Sequence, residues 1–65
     1  MNYRIFVNQY PKPASNKRDI VTLHEFKVSD FDSFSEMIRH AKRVARLETE
    51  NNPDFVTYTS QRKVH

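Results

Sequence analysis

Ser33-Phe34-Ser35-Glu36-Met37-Ile38-Arg39-His40-Ala41-Lys42-Arg43-Val44-Ala45-Arg46-Leu47 carries both a helix start and a helix period. Ser33 and Glu36 fit a capping box, in which Ser33 accepts from the amide of Glu36 and the Glu36 carboxylate reaches back to the amide of Ser33. Asp30 is an alternative cap one turn earlier. With each residue advancing about 100° from Phe34, the side chains of Met37, Ile38, Ala41, Val44 and Ala45 fall within about 80° of it, a stripe that must face a core. Asn51-Asn52-Pro53 ends the helix, because Pro53 disfavours helical geometry at Asn52 and asparagine tolerates the left-handed exit that glycine usually takes. The chain has no glycine.

A single amphipathic helix needs a sheet to bury its stripe, and the flanking segments read as strands. Tyr3-Arg4-Ile5-Phe6-Val7-Asn8-Gln9-Tyr10 is β-branched and aromatic, with Tyr3, Ile5 and Val7 on one face and Arg4, Phe6, Asn8 and Tyr10 on the other. Pro11 should end it. Residues 11 to 19 contain two prolines with Ser, Asn and Asp and form a loop. Ile20 to Val28 resumes strand chemistry with a broken alternation: Val21 and Leu23 share a face opposite to Phe26 and Val28 unless a bulge near His24-Glu25 inserts an extra residue. Phe55 to Ser60 is the third strand, with Val56 and Tyr58 on one face, and residues 61 to 65 read as a polar tail. The expected fold is therefore α+β, a three-stranded sheet in β-β-α-β order with one helix on one face. If the third strand lies parallel to its neighbour, the helical crossover should be right-handed.

The 65 residues, 37% hydrophobic and 29% charged, suit one small folded domain over the whole chain. A domain of this size buries only about 60% of the surface its unfolded chain exposes, which leaves little room for a deep enzyme cleft. Without cysteine it has neither disulfides nor thiolate metal ligands. No Gly-x-Ser-x-Gly elbow or glycine-rich phosphate loop can exist without glycine, and no nucleophile, base and oxyanion-donor set stands out. His24, His40 and His65 are far apart in sequence and make no His-x-x-x-His pair. The expectation is a non-enzymatic protein with no catalytic residues, no metal and no cofactor. No apolar run approaches the roughly 18 residues of a spanning helix, and the N-terminal residues lack a signal-peptide core, so a cytoplasmic protein without membrane contact is expected.

The formal charge is +3, with a pI near 9.5. Residues 1 to 29 hold five bases (Arg4, Lys12, Lys17, Arg18, Lys27) against Asp19 and Glu25, whereas the helical segment is nearly neutral but sorted, acidic at its ends and basic between Arg39 and Arg46. Three surfaces follow. On the helix, Arg46, Arg39 and Arg43 lie about 120°, 140° and 180° from Phe34, opposite the apolar stripe, with Lys42 near 80°. Such a line can meet phosphates or an acidic groove. An ordinary solvated helix face accounts for it too, with Glu36 to His40 and Arg46 to Glu50 at ion-pair spacing and charges placed to suit the helix dipole. The loop, with Lys12, Lys17 and Arg18, is longer than most hairpin loops and can reach along phosphates, or it is simply a mobile solubilising loop. The sheet face away from the helix would show Arg4, Phe6 and Tyr10 beside Thr22 or Thr57, ingredients for stacking on single-stranded nucleic acid. A homodimer interface would use the same apolar surface.

The leading expectation is a small basic protein that binds nucleic acid, DNA or RNA, through the loop and the arginine face. The competing one is a protein-protein module with an acidic partner surface, such as an inhibitor or adaptor that acts on a nucleic-acid-processing protein. The short length suits an accessory protein of a phage or mobile element.

Overall fold

The computed structural model describes residues 3–12 and 19–63. Its elements are β1 (Tyr3–Pro11), β2 (Val21–Lys27), a short 3-10 turn (Val28–Asp30), α1 (Phe34–Asn51) and β3 (Phe55–Lys63), the expected α+β order. The sheet order is β2-β1-β3, with both neighbours antiparallel to β1, so the parallel alternative for β3 does not occur. β1 is the strand with large side chains on both faces, Tyr3, Ile5 and Val7 on one and Phe6 and Tyr10 on the other. In the central position its side chains gain neighbours from both flanking strands, so that Ile5 and Val7 are buried on the helix side and Phe6 and Tyr10 are half-buried on the other.

The broken alternation of β2 is resolved by an extra residue. Val7 faces His24 while Asn8 faces Thr22, which leaves Leu23 unpaired opposite the Val7/Asn8 step. The irregularity therefore falls at Leu23, just before the expected His24-Glu25. It returns Val21 to the face that also carries His24 and Phe26.

Ser33 caps α1, its Oγ accepting from the Glu36 amide at 3.2 Å, while Asp30 belongs to the preceding 3-10 turn. The exit differs from expectation. Asn52 has φ −133° and ψ 70°, not a left-handed conformation, and no described residue has positive φ. The last turn is closed instead by Asn52, whose amide and Nδ2 both donate to the Glu48 carbonyl, at 3.0 and 3.3 Å. A side chain thus does the work of the missing glycine. Gln61, Arg62 and Lys63 also depart from the expected tail: they continue β3 and pair with Ile5, Arg4 and Tyr3. Their polarity is compatible with an edge strand, which needs an apolar residue only where its face is covered.

The core is small. Ile5, Val7, Met37 and Ala41 are its buried apolar residues, and Tyr3, Phe26, Val28, Phe31, Phe34 and Ile38 pack around Ile5, Met37 and Ala41. Each fully buried large side chain contributes about 1.5–3 kcal/mol by leaving water. The helix lies over β1 and β3 more than over β2. Val21, Leu23 and Leu47 consequently remain 57%, 36% and 52% exposed. No described helix is long and apolar enough to cross a membrane.

Candidate functional site

Among the described residues no helix or strand lies over the other face of the sheet, and that face is built from the even-numbered residues of β1. The ladder places Arg4 beside Lys27 and Arg62, Phe6 beside Glu25 and Ser60, Asn8 beside Thr22 and Tyr58, and Tyr10 beside Val56. Partners across antiparallel strands point to the same side. Thr57 does not belong here: it pairs with Gln9 on the helix side and accepts from Gln9 Nε2 at 3.2 Å. Tyr58 takes the place expected for Thr57, since a shift of one residue exchanges the faces.

Down this face the chemistry changes in order. At one end Lys27, Arg4 and Arg62 form a row across all three strands. Arg4 Nη1 donates to Glu25 Oε1 at 2.7 Å, so three cations face one carboxylate, and the remaining guanidinium N–H groups of Arg4 stay available. In the middle, Asn8 is buried, at 6% exposure, with both its Oδ1 and its Nδ2 engaged in a cross-strand relay. Thr22 Oγ1 donates to Asn8 Oδ1 and Asn8 Nδ2 donates to Ser60 Oγ, both at 2.9 Å. Such satisfaction is what permits a polar group at the centre of a sheet. At the far end, Tyr10 and Tyr58 meet edge to face with centroids 5.9 Å apart. Phe6, Tyr10 and Tyr58 are all half-buried, packed among neighbours with part of each ring accessible.

Two shallow depressions mark the face. One, of about 340 Å³, is lined by Phe6, Asn8, Thr22, Ser60, Gln61 and Arg62. The other, of about 270 Å³, is lined by Tyr10, Ile20, Val56 and Tyr58.

The other sequence candidates lie elsewhere. Arg39, Lys42, Arg43 and Arg46 are exposed on α1, the opposite broad face of the molecule. Arg46 Nε approaches Glu50 Oε1 at 3.7 Å with both side chains mostly in solvent, an arrangement worth at most a few tenths of a kcal/mol. The dipole explains only half of the charge order, since Glu36 sits in the first turn but no base occupies the last. Lys12 is exposed beyond β1, and its amide donates to the Asp54 carbonyl at 2.9 Å. Lys17 and Arg18 lie outside the described residues.

His40 does not engage Glu36. It packs edge-on against Phe26, centroids 4.9 Å apart, and tilts against Phe31 at 5.3 Å, while His24 stacks on Phe26 at 5.9 Å and directs Nε2 to Glu48 Oε1 at 3.5 Å. Two histidines distant in sequence thus converge on one phenylalanine beside the core. Among the described residues no three of His, Asp or Glu gather as a metal-binding group.

Lys27, Tyr58, Ser60 and Arg62 were not singled out by sequence as part of this face, whereas Asn8 was placed on it with Arg4, Phe6 and Tyr10, and Thr22 was one of the two threonines expected beside them. The signal was there in part: the alternation Val56, Tyr58, Ser60, Arg62 continues past the expected strand end. The chain shows no significant match to any protein family model, to any curated protein or to any solved structure.

Proposed function

We propose that this chain is a small non-enzymatic protein that binds nucleic acid. One observation carries the reading: the open sheet face combines three accessible rings, Phe6, Tyr10 and Tyr58, with the cation row Lys27, Arg4 and Arg62. Rings supply sequence-tolerant stacking and the cations meet phosphates, the two contributions that nucleic-acid binding combines. The charges of Arg39, Lys42, Arg43 and Arg46, together with those of Lys12, Lys17 and Arg18, add to the positive field that draws a polyanion in.

The test is a binding titration against single-stranded DNA, RNA and mixed-sequence duplex DNA at two salt concentrations. Binding should weaken with salt, and each phosphate contact on a single strand should contribute about −0.7 to the slope of log affinity against log salt. Absence of binding at low salt to all three ligands would remove this reading.

A second reading rests on a different observation. Val21 and Leu23 on the bulged edge strand, and Leu47 next to the Glu48 that reaches His24, leave apolar surface exposed on the β2 flank. A protein-protein module, such as an inhibitor or adaptor, would anchor there, and loss of Leu47 would then weaken partner binding more than loss of an exposed arginine.

A further inference from the structure

We infer that the ligand of the open face is an unpaired polynucleotide strand lying along β1, one nucleotide seated at Phe6 and Asn8 and another, further along the same strand, at Tyr10 and Tyr58. This rests on the nucleic-acid reading and adds the strandedness of the ligand and the seats that hold it. The two depressions follow one another along the central strand. Phe6 and Tyr10 are four residues apart, about 13 Å of strand, a span of several stacked nucleotides at about 3.4 Å each, so the two seats take bases that are not adjacent in a stacked strand.

The two seats differ in chemistry. The Phe6 seat has an aromatic wall, a polar floor and a guanidinium rim from Arg62. Its floor is directional: the Thr22 proton is committed to Asn8, so Thr22 offers lone pairs, while Ser60 already accepts from Asn8 and keeps its own proton to donate. The seat thus presents one donor and one acceptor beside a ring, the complement of an unpaired base edge that carries both. The Tyr10 seat is lined by Ile20, Val56 and Tyr58 and offers stacking with little hydrogen bonding beyond the phenol groups.

The geometry selects against a duplex. Phe6, Tyr10 and Tyr58 sit within the sheet surface, and bases in a duplex have their faces covered by neighbours and their edges paired. Among the described residues no helix or ribbon projects from this face to enter a groove. Charge selects a polyanion over a second copy of the chain, since two such faces would each bring three cations against one carboxylate into the interface.

The experiment uses the full chain and end-labelled oligothymidylate, oligouridylate and a duplex of equal length, with solution mass recorded alongside. The variants are Phe6→Leu with Tyr58→Leu, and separately Arg39→Gln with Arg43→Gln. One or both single strands should bind more tightly than the duplex. The leucine pair should weaken single-strand binding by about fivefold or more, and the helix pair, which lies away from the seats and lowers only the overall positive field, should weaken it by clearly less than that. Because the leucine pair can also lower stability, quenching of tyrosine fluorescence by the single strand is read on the unmodified chain, where stacking at Tyr10 and Tyr58 should reduce it. Duplex binding without single-strand binding would overturn the inference while leaving the nucleic-acid reading intact. No binding of any strand would overturn both. Single-strand binding that survives the leucine pair but fails with the helix pair, or a dimer that the leucine pair dissociates, would also overturn the inference.

Discussion

The two faces of β1 use one strand for opposite ends. Ile5 and Val7 are sealed beneath α1, at 2% and 0% exposure, whereas Phe6, Asn8 and Tyr10, interleaved with them, form a surface on which polar groups are paired within the sheet and rings stay partly accessible. Near its two ends the helix-covered face loses its apolar character to Gln9, Thr57, Gln61 and Lys63. The open face instead keeps an ordered progression from cations through a polar relay to tyrosines. The core and the proposed binding surface thus draw on alternate residues of a single segment.

The contrast can be broken most severely at Met37. Met37→Ala empties a fully buried position, and a loss of about 2–5 kcal/mol is expected in urea or thermal denaturation. Against a total of about 3–10 kcal/mol for a chain of this length, that removes a large fraction of the stability. Phe6→Leu should have the opposite profile. Stability should fall by less than about 1.5 kcal/mol because the replacement is still apolar, while single-strand affinity falls by about 1–3 kcal/mol through the lost stacking partner. A stability loss at Phe6 equal to that at Met37 would mean that the open face is itself a core under cover. Ser33→Ala removes the bond to the Glu36 amide and should lower stability by about 1 kcal/mol without changing affinity, separating helix integrity from recognition. Arg46→Gln, at the exposed pair with Glu50, should change stability by no more than about 0.5 kcal/mol in matched denaturation curves.

Much of the fold is legible in the residues because local rules act alone where they succeed. The Ser33 cap, the stripe from Phe34 to Ala45 and the stop before Pro53 need only helix geometry, and the broken period of β2 announces its bulge within a residue or two. Strand order is not legible, since no local feature says whether β3 joins β1 or β2. The open face was only partly legible for the same reason. Arg4, Phe6 and Tyr10 follow from alternation within one strand, but Lys27, Tyr58, Ser60 and Arg62 join them only through a cross-strand register. A one-residue ambiguity in that register put Thr57 in place of Tyr58. Polar composition also hid the end of β3, where Gln61, Arg62 and Lys63 stay extended because they pair with β1. The meeting of His24 and His40 at Phe26 depends on how the helix is placed on the sheet, which no spacing in the chain encodes.

The most direct measurement of the central claim is the aromatic proton spectrum of the unmodified protein, followed by NMR as oligothymidylate is added. Stacked bases shift the protons of the rings they cover. Resonances of Phe6, Tyr10 and Tyr58 should move with saturation, while those of Phe26, Phe31 and Phe34 on the helix side of the sheet stay in place. Bound oligonucleotide that leaves the open-face rings unmoved and shifts only the guanidinium protons of Arg39, Arg43 and Arg46 would contradict the account and place recognition on the helix.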